Sequence, residues 1–210
     1  MFRVVPLILV ALCVPAPSVA GGSSQAEGRA HKGPRAYHEM CRRDVRLCAE
    51  DVSASRDVGH GSPAVLSDKR YADLERVNST INRNVESVAD AELYGVSDFW
   101  TLAGSSGDCE DFMIAKKRAL LVAGWKADQL LYAVVEGVET PYHAVLVVRT
   151  DQGDLVLDNL TDDILAWQDT GYRFIVRQSA DAPSQWVRIR PVTQFVARAG
   201  ARVDANRSRP

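Results

Sequence analysis

The sequence predicts an α+β fold in which helices come first and a mostly antiparallel sheet follows. Two observations support this class. Apolar residues recur at helical spacings of three and four between about positions 67 and 124. From about position 130 onward, short β-branched apolar runs alternate with turn residues instead. With 210 residues, the chain is long enough for one domain with a sizeable core.

The first twenty residues are typical of a secretory signal peptide. A single charge at Arg3 precedes an apolar stretch over residues 4–14, and Ser18, Val19 and Ala20 supply a small-residue cleavage site. The alternative, a membrane anchor, is disfavoured because the apolar stretch is short and interrupted by prolines. We therefore expect an exported protein, periplasmic or secreted, with no membrane span after cleavage.

Composition divides the rest of the chain into three parts. Residues 21–36 are rich in glycine, serine, alanine and charge, which predicts a flexible leader. A folded domain is expected over residues 37–195, and residues 196–210 form a polar tail. The formal net charge of −2 gives no basic surface for nucleic acid, so nucleic-acid binding is not expected.

Three cysteines remain after signal cleavage removes Cys13. An oxidising compartment favours pairing of Cys41 with Cys48. Seven residues of unbroken helix rise about 10 Å, which exceeds the reach of a disulfide. A Cys41–Cys48 bridge therefore requires a bend within residues 42–47, and two unpaired, partly buried thiols are the alternative. In either case Cys109 is left without a partner.

Two helices are predicted before the sheet. The first has Ser67 as its N-cap and apolar residues at Leu74, Val77, Ile81, Val85 and Val88. The second begins after Asp108, with Asp111 three residues on as in a capping box, and ends at Gly124. Its apolar face consists of Phe112, Ala115, Ala119, Leu120, Val122 and Ala123.

Five apolar runs then predict the strands of the sheet. They cover residues 130–135, 144–148, 155–157, 174–176 and 186–189. Residues 151–153 contain a turn signal between the second and third strands.

Cys109 occupies the first turn of the second predicted helix. Unpaired backbone N–H groups and the positive end of the helix dipole favour a thiolate at that position. The same N–H groups can stabilise an oxyanion on an attacked carbonyl. A buried free cysteine is usually inert, but the glycine-bounded, acidic surroundings of Cys109 are not typical of a core position. The pattern favours a catalytic nucleophile.

A nucleophilic cysteine needs a base, and the base needs an orienting group. His143 begins a predicted buried strand, and Asp158 ends the next strand. A four-residue loop over residues 149–152 pairs His143 directly with Asp158. A tight loop at residues 152–153 instead places His143 opposite Asp162 and leaves Asp158 more than about 10 Å away. Both aspartates therefore remain candidates on geometry alone.

Several stretches of the chain together resemble the bacterial transglutaminase-like cysteine proteinases. They are Gly107–Phe112 with Lys116, His143–Val148, Leu155–Asn159, and upstream Val77–Asn78 with Asn82 and Tyr94–Trp100. The resemblance runs from about Tyr37 to Ile189. It implies a papain/transglutaminase-like fold, with the nucleophile at a helix N-terminus packed on an antiparallel sheet. It also implies a triad of Cys109 as nucleophile, His143 as base and later acid, and Asp158 rather than Asp162 as orienting group.

The resemblance also carries expectations about activity and partners. The best-known branch of this family is a periplasmic protease that clips the N-terminal retention module of large adhesins and so releases biofilm cells. It implies an exported cysteine endopeptidase working through an acyl-enzyme, with a surface adhesin as protein substrate and an inner-membrane receptor as regulator. A transglutaminase or amide-transfer enzyme is one alternative. A catalytically silent binding module is the other, although such a module would not need all three triad residues.

Three carboxylates flank the thiol: Asp108, Glu110 and Asp111. Negative neighbours oppose thiolate formation, and a bound divalent cation would reverse that penalty. The resemblance points the same way, because the adhesin-protease branch uses calcium beside its cysteine. Calcium held by these three residues is one hypothesis, with no other cofactor expected, and ordinary helix capping is the alternative. Trp100 is expected to pack in the core, or else to wall the cleft or donate to the oxyanion.

Overall fold

The computed structural model describes residues 22–56, 61–137 and 141–191. The predicted signal peptide over residues 1–20 and the polar tail lie outside these ranges. Helices occupy the N-terminal half and a seven-stranded antiparallel sheet occupies most of the C-terminal half, as the sequence predicted. Within the described residues, no helix is both long and apolar enough to cross a bilayer.

Two of the α-helices in the described chain were predicted, and both begin directly after their predicted N-cap residues, Ser67 and Asp108. The α-helices of the described chain are α1 (Arg35–Arg43), α2 (Ala49–Ala54), α3 (Asp68–Asn84), α4 (Asp90–Leu93) and α5 (Cys109–Val122). Ser67 caps α3 through its side chain, which accepts a hydrogen bond from the backbone N–H of Arg70. Helix α3 ends at Asn84, so the predicted apolar positions Val85 and Val88 lie beyond it.

The strands of the described chain form one large sheet and one small one. They are β1 (Glu27–His31), β2 (Glu86–Ser87), β3 (Ser106–Gly107), β4 (Leu130–Glu136), β5 (His143–Thr150), β6 (Gly153–Leu157), β7 (Leu165–Ala166), β8 (Arg173–Gln178) and β9 (Trp186–Ile189). The large sheet has the order β1-β9-β8-β4-β5-β6-β7, and β2 pairs with β3 in parallel. All five predicted strands are confirmed, four of them with longer bounds.

Strand β1 differs from the flexible leader predicted over residues 21–36. Ala30 and His31 pair with Val187 and Trp186 of β9. The carboxylate of Glu27 also accepts a hydrogen bond at 2.7 Å from the guanidinium of Arg177, 150 residues later in the chain. Because these partners lie so far away in sequence, local composition could not indicate the strand.

The bend that a Cys41–Cys48 bridge requires is present. Helix α1 ends at Arg43, and the chain then turns through a short 3-10 segment, Val45–Leu47. The two cysteines form a disulfide with their Cα atoms 5.6 Å apart. The predicted bridge is therefore confirmed, and Cys109 is the free cysteine of the described chain.

The hairpin between β5 and β6 fixes His143 relative to Asp158. Thr150 pairs with Gly153, which leaves a two-residue loop, so neither of the two registers that the sequence allowed is correct. Extending the observed pairing of Leu146 with Leu157 places His143 opposite residue 160. Asp158 then lies two residues away on the same face, a diagonal position that long side chains can bridge.

An aromatic cluster joins the helices to the sheet beneath the cleft. The ring of Tyr37 lies 5.3 Å from that of Trp186, 6.1 Å from that of Trp100 and 6.3 Å from that of Tyr132. All four side chains are buried. Such edge-to-face packing is a favourable arrangement of aromatic rings, and it confirms the core position predicted for Trp100.

Candidate active site

Cys109 is the first residue of α5, directly after the N-cap residue Asp108. Its thiol donates a hydrogen bond to the carboxylate of Glu110 at 3.2 Å. Burial, followed by the charge of Glu110, raises the pKa of the Cys109 thiol well above its usual value. A hydrogen bond with the backbone of Ala144 acts in the opposite direction and lowers the pKa. The surrounding side chains, taken alone, therefore favour the thiol.

His143 and Asp158 form a buried hydrogen-bonded pair. Nε2 of His143, at the start of β5, lies 2.8 Å from Oδ1 of Asp158, the first residue after β6. Because Nε2 is engaged by the carboxylate, Nδ1 is the ring nitrogen left to exchange a proton with a nucleophile. The carboxylate can orient the imidazole and stabilise its protonated form.

Asp158 is held in its ionised form. Burial opposes ionisation, but hydrogen bonds from His143, Tyr172 and Leu160 together keep the pKa of Asp158 below its usual value. The competing carboxylate, Asp162, is exposed and accepts a hydrogen bond from Asn82 instead of from His143. Of the two aspartates, the structure therefore brings Asp158 to His143.

One cavity of about 520 Å³ is lined by both Cys109 and His143. Trp100, Val134 and Tyr142 contribute further walls. Trp100 thus lines the cleft as well as packing in the core, so the two roles considered for it are compatible. The thiol and the imidazole therefore open onto the same cavity.

Asp90, Asp108 and Asp111 gather beside the start of α5, with a ligand oxygen from each lying within 4.8 Å of the other two. One oxygen of each carboxylate accepts a backbone hydrogen bond, from Phe99, Asp90 and Thr101 respectively. The other oxygen of each is buried and has no partner among the described residues. Three buried, unpartnered carboxylate oxygens in one cluster are costly unless a cation neutralises them.

The charge state of this cluster shows the same cost. Burial, followed by the charge of neighbouring carboxylates, raises the pKa of three carboxyl groups. The pKa of Asp90 is raised, that of Asp111 is raised to about 7 and that of Glu110 is raised to about 9. A set of hard oxygen ligands fits Ca²⁺ or Mg²⁺. Asp108 and Asp111, two of the three predicted residues, lie in this cluster. The third, Glu110, lies in two adjoining groups, one with Asp108 and Cys109 and one with Asp90 and Asp98.

Helix capping does not account for Asp108 and Asp111. Asp108 stands at the N-cap position, but its side chain makes no capping hydrogen bond and accepts from the N–H of Asp90 instead. The carboxylate of Asp111 accepts from the N–H of Thr101, so the predicted capping box is wrong. Both carboxylates face the acidic cluster.

Asp90 and Tyr172 are site residues that the sequence did not reveal. Asp90 reaches the cluster because Glu86 and Ser87 of β2 pair in parallel with Ser106 and Gly107 of β3. This short ladder brings the start of α4 beside the start of α5. Two residues per strand leave no periodic signal, so the sequence could not indicate the pairing.

One family model matches most of the chain. The family model described as bacterial transglutaminase-like cysteine proteinase matches residues 27–194. A structure described as Legionella pneumophila LapG (calcium-bound) is 24% identical, with a TM-score of 0.46 over 67% of this chain and 76% of that chain. An EGTA-treated form of the same protein is also 24% identical, with a TM-score of 0.44 over 66% and 73%. No curated protein matches the chain.

Proposed function

We propose that this chain, which belongs to the bacterial transglutaminase-like cysteine proteinase family, is an exported endopeptidase. Its catalytic residues in this proposal are Cys109, His143 and Asp158. The family is one of cysteine peptidases, which favours a peptidase over the silent binding module. The observation that supports the triad is the buried His143–Asp158 hydrogen bond beside a cavity that Cys109 also lines.

The proposed reaction follows from these positions. Sγ of Cys109 attacks the carbonyl carbon of the scissile peptide as Nδ1 of His143 takes the thiol proton. Backbone N–H groups in the first turn of α5 stabilise the tetrahedral oxyanion. His143 then protonates the leaving amine and afterwards activates the water that hydrolyses the thioester. Asp158 keeps the imidazole oriented throughout.

We also propose that Asp90, Asp108 and Asp111, with Glu110 beside them, hold calcium in the working enzyme. The support is the set of three buried, unpartnered oxygens. A bound divalent cation offsets the negative charge around the thiol. The protein's own part is to hold these carboxylates in place through the N–H groups of Phe99, Asp90 and Thr101.

For the substrate, we propose an extracytoplasmic protein, specifically a large surface adhesin released from the cell by cleavage, with an inner-membrane receptor as regulator. The support is the signal-like first twenty residues together with the resemblance within the family.

The proposed function is tested by comparing the N-termini of surface, periplasmic and secreted proteins between wild-type and Cys109→Ala cells. We expect a new N-terminus in the wild type only, with the uncut protein retained on Cys109→Ala cells. Restoring the wild-type gene is the control and should restore the cut. Identical sets of N-termini in both strains would count against an extracytoplasmic protease.

A further inference from the structure

Tyr172 contacts both members of the His143–Asp158 pair. It lies just before β8, and its hydroxyl donates to Oδ2 of Asp158 at 2.6 Å. Its ring centroid is 5.7 Å from that of His143, at an interplanar angle of 55°. Tyr172 is half-buried at this position. A phenol that touches both groups can control their relative orientation.

The hydrogen bonds of Asp158 show what this phenol adds. Oδ1 accepts from Nε2 of His143 at 2.8 Å and from the backbone N–H of Leu160 at 3.0 Å. Among the described residues, Tyr172 is the donor to Oδ2. The terminal torsion of an aspartate is broad and roughly two-fold. A donor on the second oxygen therefore fixes the plane of the carboxylate relative to the imidazole.

The backbone of Asp158 is held separately, by a side chain of helix α3. The side-chain amide of Asn82, on α3, donates to the carbonyl oxygen of Asp158 at 3.0 Å and to that of Thr161 at 3.0 Å. Asn78, one helical turn earlier, donates to Thr161 and to Asp162. With the backbone held from α3, the remaining freedom of Asp158 is the rotation of its carboxylate, and Tyr172 restricts it.

Other ionisable groups face the pair from the helix side. Lys116 of α5 is buried, and burial lowers its pKa to about 7 although Asp158 and Asp162 oppose the shift. Burial, followed by the bond to Asp158, raises the pKa of the Tyr172 phenol above its usual value, and the charge of Cys109, at the start of α5, also contributes to this shift. The phenol therefore stays protonated as a donor at neutral pH.

We propose that Tyr172 is a positioning residue for the triad, because its hydroxyl fixes the carboxylate of Asp158 and thereby the ring of His143. This inference rests on the proposed function. Tyr172 does not touch the reacting atoms. It acts through Asp158, whose other oxygen contacts Nε2 of His143.

The test is Tyr172→Phe, assayed on a peptide that spans the cleavage site found in the N-terminal comparison. We expect kcat to fall about tenfold with KM within about twofold, since a hydrogen bond to a charged group is lost. Loss of the donor raises the pKa of Asp158, and the ionised form is the active one. The acidic limb of the kcat profile should therefore move up by about one pH unit. Lys116 is present in both proteins and contributes equally to both profiles.

Two further measurements separate positioning from folding. In ¹⁵N-histidine NMR, the His143 ring signals should shift in Tyr172→Phe but not in Tyr71→Phe, which removes a phenol hydroxyl from α3. If Tyr172→Phe does not fold, difluorotyrosine at position 172 keeps the shape with a more acidic donor, and the acidic limb should move to lower pH. If the acidic limb of the kcat profile does not move and the His143 signals do not shift, the inference is overturned.

Failure of the proposed function would look different. In that case the N-terminal comparison would give no cleavage site that depends on Cys109, while the NMR comparison would still report whether Tyr172 controls His143. If instead the wild type is active, Cys109→Ala is inactive and Tyr172→Phe matches the wild type in rate, pH profile and His143 signals, only the role of Tyr172 is refuted.

Discussion

Replacement of Cys109 by alanine is expected to lower kcat/KM for the cleavage-site peptide by at least about ten-thousandfold, since no other group can take the place of the nucleophile. The fold should survive. Cys109 is only partly buried and alanine is a small change, so the free energy of unfolding should change by less than about 1 kcal/mol. The measurements are peptide cleavage followed by mass spectrometry and a thermal melt of the same preparation.

A matched control for this variant lies on the same helix. Val122 ends α5 and is 86% exposed, so Val122→Ala should keep both activity and melting temperature. Cleavage by Cys109→Ala at a rate close to that of Val122→Ala would remove Cys109 from the mechanism.

Removal of calcium is expected to have the second-largest effect. Chelation by EGTA should reduce peptide cleavage by more than about a hundredfold, since three buried carboxylates are left uncompensated beside the thiol. It should also lower the melting temperature by about 5–10 °C, the loss expected for a ligand present at about a hundred times its Kd. Added CaCl₂ should restore both quantities.

A pair of aspartate variants assigns the effect to the proposed site. Asp90→Asn removes one of the three inward-facing carboxylates, and we expect calcium affinity in calorimetry to fall by about tenfold or more. Asp68→Asn, on the exposed start of α3, should bind calcium as the wild type does. If neither chelation nor Asp90→Asn changes melting or cleavage, the calcium proposal is refuted.

Local sequence patterns predicted the elements that carry the site. Helical spacing placed Cys109 at the start of α5, and β-branched runs placed His143 at the start of one strand and Asp158 at the end of the next. These patterns did not determine the register. Moving the hairpin loop by one residue along the chain changes the cross-strand partner by two residues, so the same side chains stay on the same face. The resemblance to a family selected Asp158 over Asp162, and the diagonal contact in the structure explains how the two side chains meet.

Long-range contacts supplied what local patterns could not. Strand β1 pairs with β9, which lies near the other end of the described chain. Its own polar composition is typical of a leader and does not indicate a strand. Asp90 reaches the acidic cluster through the two-residue ladder of β2 with β3. Tyr172 reaches Asp158 only after β6 and β8 have taken their places in the sheet. None of these contacts follows from a helical or strand period.

Alkylation of Cys109 by iodoacetamide tests the central claim most directly, since it needs no substrate. With Cys41 and Cys48 bridged, Cys109 is the free thiol of the described chain, so a single added mass reports on this site. In the presence of calcium at near-neutral pH, we predict complete labelling of the folded wild type, with the rate at least about tenfold lower in folded His143→Ala. Equal rates in the two proteins, or a folded wild type that resists labelling, would contradict a thiol activated by His143.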